Sequence, residues 1–141
     1  MSMMSPLQQE WTLLQQQHEQ YERGALLIKL AGVALFALGL AWRIGPHWLG
    51  LVALLLWGQE AMLKTYQARI AARLLRVEQG LLPAAAADRQ ALPAFQLHSE
   101  WAASRPGGLA LLGGYARSAC KPTVAFPHAL LLLASLALIL C

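Results

Sequence analysis

Two ionisable residues stand inside long apolar runs. Lys29 interrupts GALLIKLAGVALFALGLAW, and Glu60 follows LGLVALLLWGQ. A lone charge in hydrocarbon costs about 2.5–3.5 kcal/mol on insertion scales, so such residues either pair or line an ion or proton path. Arg43-Ile44-Gly45-Pro46-His47 joins the two runs, and Gly with Pro ends a helix and reverses the chain. A hairpin folded at Gly45 places Lys29 and Glu60 at one depth, each about 20 Å from the tryptophan on its own run, Trp42 or Trp48, at 1.5 Å per residue. The sequence thus predicts an ion pair between them. One pair is not a relay, and the third apolar run brings only His128, at its start, where a transporter would place polar groups near the middle. A structural clamp, with the Lys29 stem extended toward an aqueous edge, is the simpler reading, and a proton path through Lys29, Gln59 and Glu60 is the sharper one.

Other chemistry is sparse. His18, His47, His98 and His128 share no ligand spacing with each other or with Cys120 and Cys141, so no metal site is expected. There is no nucleophile motif and no paired-carboxylate arrangement. The Gly107-Gly108 and Gly113-Gly114 pairs lack the Lys-Ser or Lys-Thr of a phosphate loop. The reading is of a chain with no catalytic residue, no cofactor and no enzymatic activity. Its net charge of +4 does not point to nucleic acid, because the basic residues cluster beside apolar runs, where they orient a chain in a bilayer.

The elements that must position Lys29 and Glu60 are helical. Apolar residues make up 57% of the 141 residues and charged ones 13%, more apolar surface than so small a fold can bury in itself. Leu7, Trp11, Leu14, His18 and Tyr21 recur at helical spacing, and the stripe continues through Ala25, Ile28, Gly32, Leu35, Gly39 and Trp42. This predicts one helix from Pro6 to Trp42, with its second half, 24–42, crossing a membrane. A polar helix with Glu10, Glu19 and Glu22 precedes that run, unlike a secretory signal. A second span is expected over 48–63, continuing as a cytoplasmic helix to Gly80 and Pro83 along the stripe Leu56, Gln59, Leu63, Tyr66, Ile70, Leu74, Val77 and Leu81. The register that pairs Lys29 with Glu60 also matches Glu22 with Arg69 and Glu19 with Arg73, giving expected stem ion pairs. Gly32, Gly39 and the Ala37–Ala41 pair let the two helices approach closely, or a second copy dock.

Residues 83–123 read as a basic loop broken by proline and glycine, with short helices over Ala94–Ser104 and Leu109–Cys120 whose Phe95, Trp101 and Tyr115 face lipid. Val124–Cys141 is uncharged for 18 residues, enough for a third span with Pro127 in its first turn. The turn at 43–47 carries only Arg43, whereas 64–125 carries Lys64, Arg69, Arg73, Arg76, Arg89, Arg105, Arg117 and Lys121. Positive residues stay inside. The N-terminus and loop are therefore expected in the cytoplasm and the turn and C-terminus outside, with Cys120 and Cys141 on opposite faces.

The expected fold is an all-α membrane protein: a long antiparallel hairpin of two spans with cytoplasmic extensions over 1–82, the loop over 83–123 and a third transmembrane helix over 124–141. The layout of 5–82 resembles small two-span bacterial proteins with a cytoplasmic helix on each side, including the SLATT effector domains of conflict systems, and no diagnostic residue carries the likeness. The reading of function is a small multi-pass inner-membrane scaffold or accessory subunit, in contact with the lipid bilayer and with a protein partner or further copies of itself. The resemblance implies a second reading, an oligomerising membrane effector or pore; a small transporter stands third.

Overall fold

A computed structural model describes residues 5–82, 92–104 and 106–141. Two helices of 36 residues dominate it, α1 (Pro6–Ala41) and α2 (Pro46–Leu81), packed antiparallel. At 1.5 Å per residue each is about 54 Å long. A capping box starts α1: Ser5 Oγ accepts from the Gln8 amide at 3.3 Å, and the Ser5 amide donates to Gln8 Oε1 at 2.8 Å. Pro6 takes the first turn, where its missing N–H is no loss.

The reversal between the helices is a Schellman turn. The Ile44 amide reaches back to Gly39 O at 2.8 Å and the Arg43 amide to Leu40 O at 3.1 Å, with Arg43 in the left-handed region at φ 56°. Gly45 then caps α2 and Pro46 begins it. So Gly-Pro starts the second helix, and an arginine in glycine's usual role stops the first. At the far end Gly80 lies inside α2, while Pro83 and the alanine run after it fall outside the described residues.

Four shorter helices follow: α3 (Leu97–Ser104), α4 (Gly108–Ala119), α5 (Pro122–Ala125) and α6 (His128–Leu140). The basic loop is no free strap. α4 packs along α2, and α3 sits on the stem through a core of Leu14, Ile70 and Val77, joined by Leu92 and Leu97. Trp101 stacks on Arg69 of α2. The single helix expected over 124–141 does not form. Pro127 has no N–H to give the preceding turn and Phe126 is extended, so α5 ends at Ala125 and α6 restarts at His128. α6 lies antiparallel to α2 with Ser135 against Gly50, donating a hydrogen bond from its Oγ to Pro46 O.

The turn end and the stem end differ in surface. Around the turn, Leu27, Leu30, Leu38, Leu51, Leu55, Leu133 and Leu140 all point outward. Among the described residues α1 alone is both long and apolar enough to cross a membrane. Its most apolar 18-residue window has mean hydropathy 2.1, and 22% of it is buried. The apolar stretch of α2 is cut short by Gln59 and Glu60, and α6 has only 13 residues.

Candidate functional site

Gly39 lets the hairpin close: a Cβ there would lie 2.3 Å from Leu49 Cδ2, so the hydrogen of glycine admits the leucine. Gly32 meets Leu56 and Gly24 meets Leu63 down the same seam. At the level between Gly32 and Gly24 the seam carries charge. Glu60 of α2 is fully buried, with Oε1 3.2 Å from Lys29 Nζ of α1 and Oε2 2.9 Å from His128 Nε2 of α6. His128 is fully buried as well, while Lys29 keeps 24% of its side chain exposed and donates to Thr123 O just before α6. Three helices thus converge on one carboxylate.

The polar atoms decide the protonation pattern. His128 Nδ1 is buried with no hydrogen-bond partner among the described residues. A neutral ring that donates from Nε2 to Glu60 leaves Nδ1 as an idle acceptor, whereas an imidazolium would bury an unsatisfied N–H. The arrangement ties His128 of α6 to Glu60 of α2 through one buried hydrogen bond.

A second ionic cluster lies at the stem end. Arg73 is 1% exposed; its Nε donates to Glu10 Oε1 at 2.8 Å and its Nη2 to Glu10 Oε2 at 3.0 Å. Nη2 also donates to Pro93 O at 2.8 Å, and Nη1 donates to Glu100. The Phe95 amide, held at φ 60°, donates to Glu10 Oε2 at 2.8 Å, and Arg76 pairs with the outer oxygen of Glu100 at 2.8 Å. Burial alone would raise the Glu10 carboxyl, but the Arg73 hydrogen bonds, the Phe95 amide and the Arg73 charge outweigh it and hold the group below its ordinary range. The Arg73 guanidinium is in turn held above its usual value, first by its bonds to Glu10, against a lesser opposing effect of burial.

The two expected stem pairs are corrected here. Glu22 accepts from Gln67 Nε2 at 2.8 Å and Lys64 Nζ at 3.0 Å, not from Arg69. These bonds, Gln67 first, lower its carboxyl. Glu19 is exposed and makes no ion pair among the described residues, and Arg73 takes Glu10 instead. Depth matching ignored direction around the helix. Glu10 and Glu19 are separated by about two and a half turns, so they point to opposite sides of α1, and only Glu10 faces the seam. Arg69 is packed between rings, its Cζ 4.9 Å from the centroids of both Tyr66 and Trp101.

Comparison with protein-family models, curated proteins and solved structures finds no match. The site therefore has to be read on its own geometry. His128 was visible in sequence only as an isolated residue at the start of an apolar run. Nothing local tied it to Glu60, because the break at Phe126–Pro127 sets where α6 begins. Glu10 and Glu100 carried no signal beyond being acids, since their shared partner lies across the fold.

Proposed function

We propose that this chain is a non-enzymatic membrane scaffold or accessory subunit, embedded by its turn end and acting through its helical stem end. The observation that carries the reading is the collar of outward-facing leucines on α1, α2 and α6 around the turn, on helices whose inward faces are already used. A core helix of a soluble protein would be mostly covered, and the apolar window of α1 is not. Exposed apolar surface on that scale needs lipid or a partner. Lipid explains why the collar runs round all three helices and ends at Trp42 and Trp48, residues that favour the interface. In this reading the apolar half of α2 and the short α6 lie in the bilayer beside α1. The basic stem end faces the cytoplasm by the positive-inside bias of Arg43 against the Lys and Arg of 64–125.

The scaffold role rests on the stem end: helices clamped by ion pairs and a small core, with Leu13, Leu75 and Leu82 exposed among polar residues for a protein partner to cover. The test has three parts. The protein should stay with membranes through carbonate washing. In a background lacking Cys120 and Cys141, a cysteine at Gly45 should react with an impermeant maleimide on intact cells, and one at Leu75 only after lysis. A photocrosslinker at Leu75 should give a discrete protein adduct in native membranes, and one at Leu54 should not. Carbonate release removes the membrane reading, labelling of Leu75 from outside reverses the orientation, and absence of any protein adduct from Leu75, Leu13 and Leu82 removes the scaffold reading.

A further inference from the structure

We propose that the groove between the stem and α3 binds the phosphate headgroup of an anionic glycerophospholipid, with Arg69 as its anion contact. The inference rests on the membrane reading above and adds a ligand to it. The groove, about 610 Å³, is lined among others by Leu63, Tyr66, Arg69, Ile70, His98 and Trp101, and none of the described residues that line it is acidic.

Among the described residues that line the groove, Arg69 is the one lysine or arginine. Arg73 and Arg76 are taken by Glu10 and Glu100, and Lys64 by Glu22. Arg69 has no carboxylate within ion-pair distance and no hydrogen-bond acceptor among the described residues; its contacts are the Tyr66 and Trp101 rings. Aromatic stacking satisfies the faces of a guanidinium and fixes its plane, but leaves its fork of N–H donors unused. A planar, preset, half-buried fork is matched by the two oxygens of a phosphate, which it binds bidentately. His98, exposed at the same groove, adds a second donor.

The rest of the groove argues for an amphiphile over a free ion. Its floor includes Leu63 and Ile70, and Leu63 lies against Gly24, where the outward-facing collar begins at Leu26, Leu27 and Met62. Arg69 stands about 9 Å along α2 from Leu63 at 1.5 Å per residue. That is close to the depth of one headgroup layer, about 5–8 Å per leaflet. A lipid with its phosphate at Arg69 would therefore lay its chains over the collar.

The test uses the full chain in neutral detergent micelles with three probes: dihexanoyl phosphatidylglycerol, dihexanoyl phosphatidylcholine and inorganic phosphate. Phosphatidylglycerol should raise Tm in a saturable way, and the other two should not. Arg69→Gln should weaken that binding about tenfold or more, the loss expected for a charged hydrogen-bonded pair. Arg69→Lys should bind between the two, and Arg117→Gln, an exposed change on α4, should match the parent. Equal stabilisation by inorganic phosphate would mean an ion site, equal stabilisation by phosphatidylcholine would mean no headgroup recognition, and an unaltered response in Arg69→Gln would mean another residue binds. Each overturns the proposal. Far-UV helicity of Arg69→Gln guards against a folding defect; if helicity falls, the Arg69→Lys response decides. Carbonate release of the parent would instead defeat the membrane reading, so the two failures are separable.

Discussion

Arg73 and Glu60 are both buried charged residues of α2, and their surroundings differ in completeness. Around Arg73, Nε, Nη1 and Nη2 all donate, and Glu10 accepts a backbone amide besides. Around Glu60, Oε1 faces Lys29 without hydrogen-bond geometry and the neighbouring His128 Nδ1 has no partner among the described residues. The first cluster is a latch: its bonds tie the two stem helices to Pro93, Phe95 and Glu100 and fix where α3 sits. The second is looser, held by attraction among three helices and not by saturated bonds. Buried polar networks rigidify when every member is satisfied and become points of change when one is not. Adaptability in this molecule belongs at Glu60 and rigidity at Arg73.

The largest expected effect tests the latch. Arg73→Leu leaves Glu10 without its cation and Glu100 with Arg76 alone, and breaking a buried pair from one side costs about 3–5 kcal/mol. Tm should fall by about 10 °C or more. The Phe95 amide, which donates to Glu10, should lose protection in hydrogen exchange while the turn end keeps its own. A variant with unchanged Tm and a protected Phe95 amide would show that the latch does not hold the stem.

The looser cluster should respond less and in a set order. Glu60→Leu removes the shared partner of Lys29 and His128, whereas Lys29→Leu leaves Glu60 its hydrogen bond to His128. We expect losses of about 2–4 kcal/mol for the first and about 1–2 kcal/mol for the second. Lys29→Leu with Glu60→Leu should recover part of the loss, and adding His128→Leu should recover more, since no orphan polar group then remains. Single variants as stable as the parent would dissolve the cluster. A double variant no better than Glu60→Leu would mean that packing, not charge, sets the cost.

How far the sequence could lead is visible in these same residues. The hairpin, its turn and the apolar stripes were legible because helical periodicity and Gly-Pro punctuation are local signals. Leu14, Ala25, Gly32, Gly39, Ile70 and Val77 lie buried on the expected faces. Depth along a hairpin was legible too, and Lys29 stands opposite Glu60. Direction around the helix was not, so Glu60, Gln67 and Arg73 occupy seam positions that an apolar stripe assigns to Gln59, Tyr66 and Leu74. Partners reached through the fold, such as Glu100 for Arg73 and His128 for Glu60, depend on where α3 and α6 dock. No spacing rule encodes that.

Acid should weaken the stem. Glu10 and Glu22 have folded-state pKa values below their ordinary 4.5. A depressed carboxyl contributes stability that is fully present above the unfolded value and is lost as pH falls from there through the folded value. Tm should therefore be flat from pH 7 down toward 5 on account of these two groups and drop below 4.5. Glu10→Gln should start lower at pH 7, with its bonds to Arg73 weakened, and show a shallower acid slope. An acid slope equal to that of the parent would mean that the latch does not titrate through Glu10.

The smallest effect sets Arg43 against Arg73. Both are arginines of the hairpin, but Arg43 is exposed, makes no ion pair or side-chain hydrogen bond among the described residues, and holds a left-handed backbone at φ 56°. That conformation costs a residue with a Cβ about 1–2 kcal/mol, and glycine nothing comparable. Glycine gives back part of the gain by loosening the unfolded chain, about 0.4–1 kcal/mol. Arg43→Gly should therefore raise stability by about 0.5–1 kcal/mol, the net of those two terms. Arg43→Val should lower it, because a branched Cβ suits a positive φ least. The Ile44 and Arg43 amides that close the turn on Gly39 and Leu40 need no side chain at position 43, so the turn itself should persist. If Arg43→Gly is instead destabilising, the guanidinium does something at the turn that outweighs its backbone strain. A basic anchor at the rim of the collar is then the natural candidate, and repeating the pair of variants in micelles with and without phosphatidylglycerol would expose it, since an anchor loses its value where the anionic headgroup is missing.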